Sequence, residues 1–191
     1  MSEWQAILDF WFAGNRHAFR ECWFKPDPAF DAAIATRFGT ALGPAMAGAL
    51  DGWAAAPSGA LALCLLLDQF PRNLHRGTAR AYEADAKARE VARIAVLRDR
   101  HDLALTPVER IFLYLPFEHS ESMADQNLSV ALFEGLRDDP AMRAPGGGID
   151  YAWRHWLVIR RFGRFPHRNA ALGRASTPEE LAYLAQPGAG F

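Results

Sequence analysis

Three times in this chain a hydroxyl or carboxylate residue stands directly before a proline that opens an apolar run at helical spacing. The three are Asp27-Pro28, Thr106-Pro107-Val108-Glu109 and Thr177-Pro178-Glu179-Glu180. In each, the side-chain oxygen can accept a first-turn N–H, and proline occupies the position whose N–H has no helical partner. The glutamate three residues on completes a capping box in the second and third. Behind Asp27 the stripe runs Phe30, Ile34, Phe38, Leu42, with Gly39, Gly43 and Pro44 breaking the region. Ser2 with Gln5 predicts another capping box, ahead of Trp4, Ile7, Leu8 and Trp11, with Gly14 as the stop. Thr78 is expected to cap a helix carrying Ala81, Ala88, Val91 and Ala95.

The helix opened at Thr106 is expected to reach about Arg137, kinked by the internal Pro116. A loop over 138–148, a helix over 149–162 and a short helix ending before Pro187 complete the pattern. Nothing shows sustained period-two alternation, so the expected fold is all-α: seven to eight antiparallel helices in one domain, residues 1–191.

The longest wholly apolar run, Ala60 to Leu67, is stopped by Asp68. It is far short of the roughly 20 residues that cross a bilayer, and so reads as a buried core helix with no membrane span. Glu3 and Asp9 lie where a secretory leader needs basic and apolar residues, which predicts a cytoplasmic protein. Half the residues (50%) are hydrophobic and 23% charged, which excludes a disordered chain. A net charge of −1 supplies no basic field for nucleic acid, so no such partner is expected. Cys22 and Cys64 form neither a disulfide framework nor a CxxC motif. Of the 21 cations, only Lys25 and Lys87 are lysine. The excess of arginine suits phosphate or carboxylate recognition, although coding bias explains most of it.

Three polar clusters carry the candidate chemistry. Phe70-Pro71-Arg72-Asn73 with Gly77 is echoed by Phe165-Pro166-His167-Arg168-Asn169 with Gly173. Both read either as helix terminators or as turns aiming Arg-Asn pairs into one polar pocket. Asp68, beside Gln69 on an otherwise apolar helix, needs a cation, and Arg72 at i+4 is the near candidate. Pro116 to Asn127 places Glu118, Glu121 and Asp125 at i, i+3 and i+7, hence on one helical face, with His119 and Gln126 alongside. A solvated acidic face explains Glu118. The Glu-x-x-His spacing of carboxylate metal sites is absent, so no metal is expected. Finally, Tyr151 to Pro178 holds no Asp or Glu but carries Arg154, Arg160, Arg161, Arg164, Arg168 and Arg174. His155 shares a face with Ala152, Ile159 and Phe162 and should look inward, as a hydrogen-bonded core residue or a site residue. Pairing with Asp68, Glu121 and Asp125 accounts for the arginines more simply than RNA does.

The segments LDFWF, LLLDQFPRNLHRGTARAYEAD, YLPFEHSESMADQ and RRFGRFPHRNAALGRASTPEELAYL resemble the bacterial domain-of-unknown-function family nine-two-four across nearly the whole chain. The resemblance implies a tetratricopeptide-like right-handed superhelix and brings no activity. Its pattern includes Asp68, Gln69, Arg72, Asn73, His119, Glu121, Gln126, His155, Arg164, Phe165, His167, Arg168, Asn169 and Arg174.

Two functions fit. One is a small-molecule binding protein or enzyme, with Arg72, Arg164 and Arg168 holding an anionic group and His119, His155 and Glu121 moving protons. Asp68, Gln69, Asn73, Gln126, His167, Asn169 and Arg174 would complete its pocket. It requires the three clusters to converge on a common cavity. The other is a helical-repeat interaction scaffold with a peptide-binding groove.

Overall fold

A computed structural model describes residues 2–190, and its regular structure among them is helical, with no strand. The helices are α1 (Glu3–Phe12), α2 (Pro28–Phe38), α3 (Leu42–Met46), α4 (Pro57–Cys64), α5 (Phe70–Leu74) and α6 (Asp85–Arg93). After them come α7 (Pro107–Glu118), α8 (Met123–Glu134), α9 (Pro140–Arg143), α10 (Gly148–Phe162) and α11 (Pro178–Leu184). The protein is all-α. None of its described helices is long and apolar enough to cross a membrane.

The three proline-marked starts behave as their chemistry demands. Asp27 Oδ1 accepts from the N–H groups of Ala29 and Phe30, both at 3.0 Å. Thr106 Oγ1 accepts from Glu109 N–H (3.2 Å) while Glu109 Oε2 accepts from Thr106 N–H (2.9 Å). Thr177 and Glu180 make the same reciprocal pair at 3.2 and 2.8 Å. The box expected at Ser2 does not form, because Gln5 turns down the helix to Asp9 at 2.8 Å and Ser2 makes no side-chain cap bond. Nor does Thr78 cap an α-helix. Ala79–Tyr82 is a 3-10 turn, and α6 starts only after Ala84. Ala81, Ala88, Val91 and Ala95 are nonetheless all buried.

The chain divides into two compact units, the first comprising residues up to Arg76 with Arg80–Pro116. Its centre is α4, buried on every side from Gly59 to Cys64 and packed against α1 and α6. Gly59 is required there, since a Cβ would sit 2.1 Å from the Trp53 carbonyl oxygen. Trp11 joins the aromatic core, with its ring 5.8 Å from Trp23, 5.5 Å from Phe30 and 5.4 Å from Phe112. The helix does not stop at Phe70-Pro71. A π-turn, Leu65–Gln69, widens the backbone and the chain continues as α5 to Leu74. Pro71 lacks an N–H and its ring would crowd the carbonyl four residues back, and a widened turn relieves that conflict.

The second unit comprises Gly77–Ala79 with the residues from Phe117 onward. Here α10 packs on α8 and α9, and α11 on the 3-10 turn Pro166–Arg168. Val158, Ile159 and Phe165 form a buried core joined by Met123, Phe162 and Tyr183. Within the stretch expected as loop, Asp139 caps the single turn α9 by accepting Ala141 N–H at 2.8 Å.

Thr106→Ala should lower stability by about 1–2 kcal/mol, the cost of a lost N-cap. Ser2→Ala should stay within about 0.5 kcal/mol of the wild type. Urea denaturation of the two variants side by side checks both values.

Candidate functional site

The sequence places Glu118, Glu121 and Asp125 on one helix, but α7 ends at Glu118 and α8 begins at Met123. A helix end leaves carbonyls without partners, and here one side chain takes several of them. Gln126 Nε2 donates to Glu118 O at 2.6 Å and Ser120 O at 2.7 Å, with Phe117 O at 3.5 Å. Ser120 Oγ donates to Asp125 Oδ2 at 2.8 Å and accepts from Ser122 N–H at 3.2 Å. The three carboxylates therefore serve different partners instead of one solvated face. Glu118, 2% exposed, is buried. The signal for the break was present: Ser122-Met123-Ala124-Asp125 is itself a helix-start pattern.

Glu121 reaches the turn after α10. Its oxygens accept from Arg174 Nη1 (2.7 Å) and Nη2 (2.9 Å), and Oε1 also accepts from Phe165 N–H at 2.7 Å. Burial pushes this carboxyl up, but the Arg174 fork and the Phe165 N–H outweigh it and hold the group below its ordinary range. Arg174 further donates to Asn169 Oδ1 at 3.0 Å. Arg164 forks onto Glu180 at 2.6 and 2.8 Å. With the Thr177 N–H, it brings Glu180 down to about 2. Asn169 Nδ2 donates to Ser176 Oγ at 3.0 Å. The forks of Arg164 and Arg174 are thus engaged by carboxylates of the same unit.

A second group of basic side chains gathers about the buried ring of Phe165. His155 lies 5.5 Å from it edge-on, His167 5.5 Å, and the Arg168 guanidinium stands 4.3 Å over its face. The His119 ring is 6.1 Å from that of His155, and Arg168 Nη1 donates to the His119 carbonyl at 2.9 Å. His155 Nδ1 faces two acceptors, Tyr151 O at 2.8 Å and Glu118 Oε1 at 3.1 Å. That assigns the proton of the neutral ring to Nδ1 and the lone pair to Nε2. Burial, then the neighbouring His119, Arg168 and His167 charges, depress the His155 pKa well below the usual histidine value, against the Tyr151 carbonyl. His155 and Glu118 are buried together, while His119 and His167 are half-buried.

The Asp68–Asn73 segment lies in the first unit. The pair expected from i, i+4 spacing is present, with Arg72 Nη1 3.2 Å from Asp68 Oδ1. Arg72 also forks onto Asp85 at 2.9 and 3.1 Å. Gln69 donates to Asp68 at 2.6 Å, and Asn73 donates to Asp31 at 2.6 Å. Asp85, Asp31, Glu118 and Glu180 escaped sequence reasoning as partners, because nothing in their local spacing announces a contact so distant along the chain. Among the described residues, no group of three His, Cys, Asp or Glu side chains is disposed to hold a metal ion.

Fold and site together define an all-α protein with a buried histidine–carboxylate pair beside an arginine. The chain belongs to the bacterial proteins of unknown function grouped as DUF924, whose family model matches residues 7–188. It is similar to the solved structure of a protein of unknown function from Agrobacterium tumefaciens, with 42% identity and a TM-score of 0.84. That match covers 95% of this chain and 96% of the other. No curated protein matches the sequence.

The depressed His155 pKa fixes the sign of a pH dependence. The unfolded chain takes up a proton near the ordinary histidine value of about 6.5 while the folded ring stays neutral, so this contribution is complete above that pH and is lost as pH falls below it. Urea midpoints measured from about pH 8 to about pH 5 should fall toward acid. In His155→Gln the fall should be shallower.

Proposed function

We propose that the second unit binds a small anionic molecule, a phosphate or a carboxylate, through His119, His167 and Arg168, with His155 behind them as proton acceptor. One observation carries this reading: His155, His167 and the Arg168 guanidinium are gathered about Phe165, with the His119 ring 6.1 Å from that of His155. Clustered cations favour an anion, and a guanidinium stacked on a ring keeps a planar fork suited to oxyanions. His155 Nε2, with its lone pair, can take a proton from a bound acid, and Glu118 against Nδ1 would stabilise the imidazolium so formed. Arg164, Arg174 and Glu121 frame the site through their ion pairs. Gln126 and Asn169 hold the turns on which it is built. In the first unit, Asp68, Gln69, Arg72 and Asn73 remain candidates for a polar subsite through the Arg72 guanidinium.

Inorganic phosphate and acetate, titrated separately near pH 6, give the test, with the histidine ring signals followed by NMR. Saturable shifts at His119 and His167 are expected, weakened about tenfold in Arg168→Lys, where charge survives and the fork does not. His167→Gln, at a half-buried position, serves as a second variant if Arg168→Lys folds poorly. Signals unmoved by either anion, or equal affinity in both variants, would overturn the proposal.

An interaction scaffold is favoured by a different observation, the outward Trp153 (40% exposed) and Leu157 (55%) of α10. A stoichiometric protein partner released by Leu157→Glu would support that reading instead.

A further inference from the structure

The first unit contains a cleft of about 410 Å³, within the range of small-molecule sites, that shares no residue with the histidine cluster. Its walls are apolar, with Leu42 and Met46 on one side and Pro71 and Leu74 on the other. Gly39 and Gly43 line it one helical turn apart. Both have ordinary backbone angles, and a Cβ at either would meet no atom of the protein within 4 Å. No packing contact therefore requires glycine at Gly39, where alanine makes the better helix, while Gly43 also spares the helix a Cβ against the ring of Pro44. What the two glycines provide is depth.

Charge at the mouth narrows the occupant. Arg80 and Glu83 both line the cleft, and among the described residues neither forms an ion pair, although they are only three residues apart. His75 stands with them, its pKa lowered by burial and by Arg80 against the opposing pull of Glu83, so all three groups act on one small region. A simple anion would meet Glu83 and a simple cation would meet Arg80. A molecule carrying both charges on an apolar body satisfies both and fills the space over the glycines.

We infer that this cleft is a binding site for a free α-amino acid with an apolar side chain, its carboxylate toward Arg80, its ammonium toward Glu83 and its side chain over Gly39 and Gly43. Calorimetric titration of the full chain with L-phenylalanine, 3-phenylpropionate and 2-phenylethylamine separates the charges from the apolar body. Saturable binding of phenylalanine is expected, with each single-charge analogue about tenfold weaker. Gly43→Leu puts an apolar side chain into the cleft, its Cβ at least 4 Å from the atoms of other parts of the fold. It should bind phenylalanine at least about tenfold more weakly. Arg80→Gln and Glu83→Gln, both at exposed positions, should each weaken binding even if Gly43→Leu folds poorly. Equal affinity for all three probes, unchanged binding in Gly43→Leu, or no heat from phenylalanine up to about 10 mM would overturn the assignment.

Discussion

Both oxygens of the Glu121 carboxylate are held by Arg174, 53 residues further on, and one of them also takes the N–H of Phe165. A partly buried carboxylate is tolerable only when donors replace its lost water, and here three N–H groups converge on it. That convergence fastens the loop after α7 to the turn after α10. Phe165 is placed by it, and with Phe165 the ring about which His155, His167 and Arg168 assemble. The histidine cluster of the second unit therefore depends on an ion pair outside it.

The helical class and the three proline-marked helix starts were legible in the sequence, because capping is local. Asp27, Thr106 and Thr177 each act on an N–H group two or three residues away, and the Asp68–Arg72 contact is equally short-range. Ser2 shows where local reading fails. A capping box needs both side chains, and Gln5 had an alternative partner in Asp9. The break between α7 and α8 was missed for a different reason, since its one local sign is the helix-start pattern at Ser122. Residues 118–122 carry no apolar side chain, only polar ones that a solvated helix face would also show, and what closes the helix end is an amide arriving from the following helix. The buried Glu118–His155 contact had no local signature at all, since it joins α7 to α10.

The arginine-rich composition suggested anion binding, yet most of the arginines singled out on that ground hold carboxylates of their own units. Arg72 holds Asp68 and Asp85, Arg164 holds Glu180, and Arg174 holds Glu121. Sequence separates an arginine that braces from one that recognises only when its acid lies within a turn or so of helix. The echoed Phe-Pro turns teach the same lesson. Phe70-Pro71 runs on as helix behind a π-turn, whereas Phe165-Pro166 opens a 3-10 turn, so similar letters adopt different geometry because of what precedes them.

Gln126 closes the end of α7 with a single nitrogen shared among main-chain oxygens. Replacing that nitrogen by oxygen, as in Gln126→Glu, would set a negative atom against a ring of negative ones in a place water does not reach. The junction would be forced open and would draw Glu121 away from Arg174. A change at one amide would thus loosen the histidine cluster while leaving each of its members chemically intact.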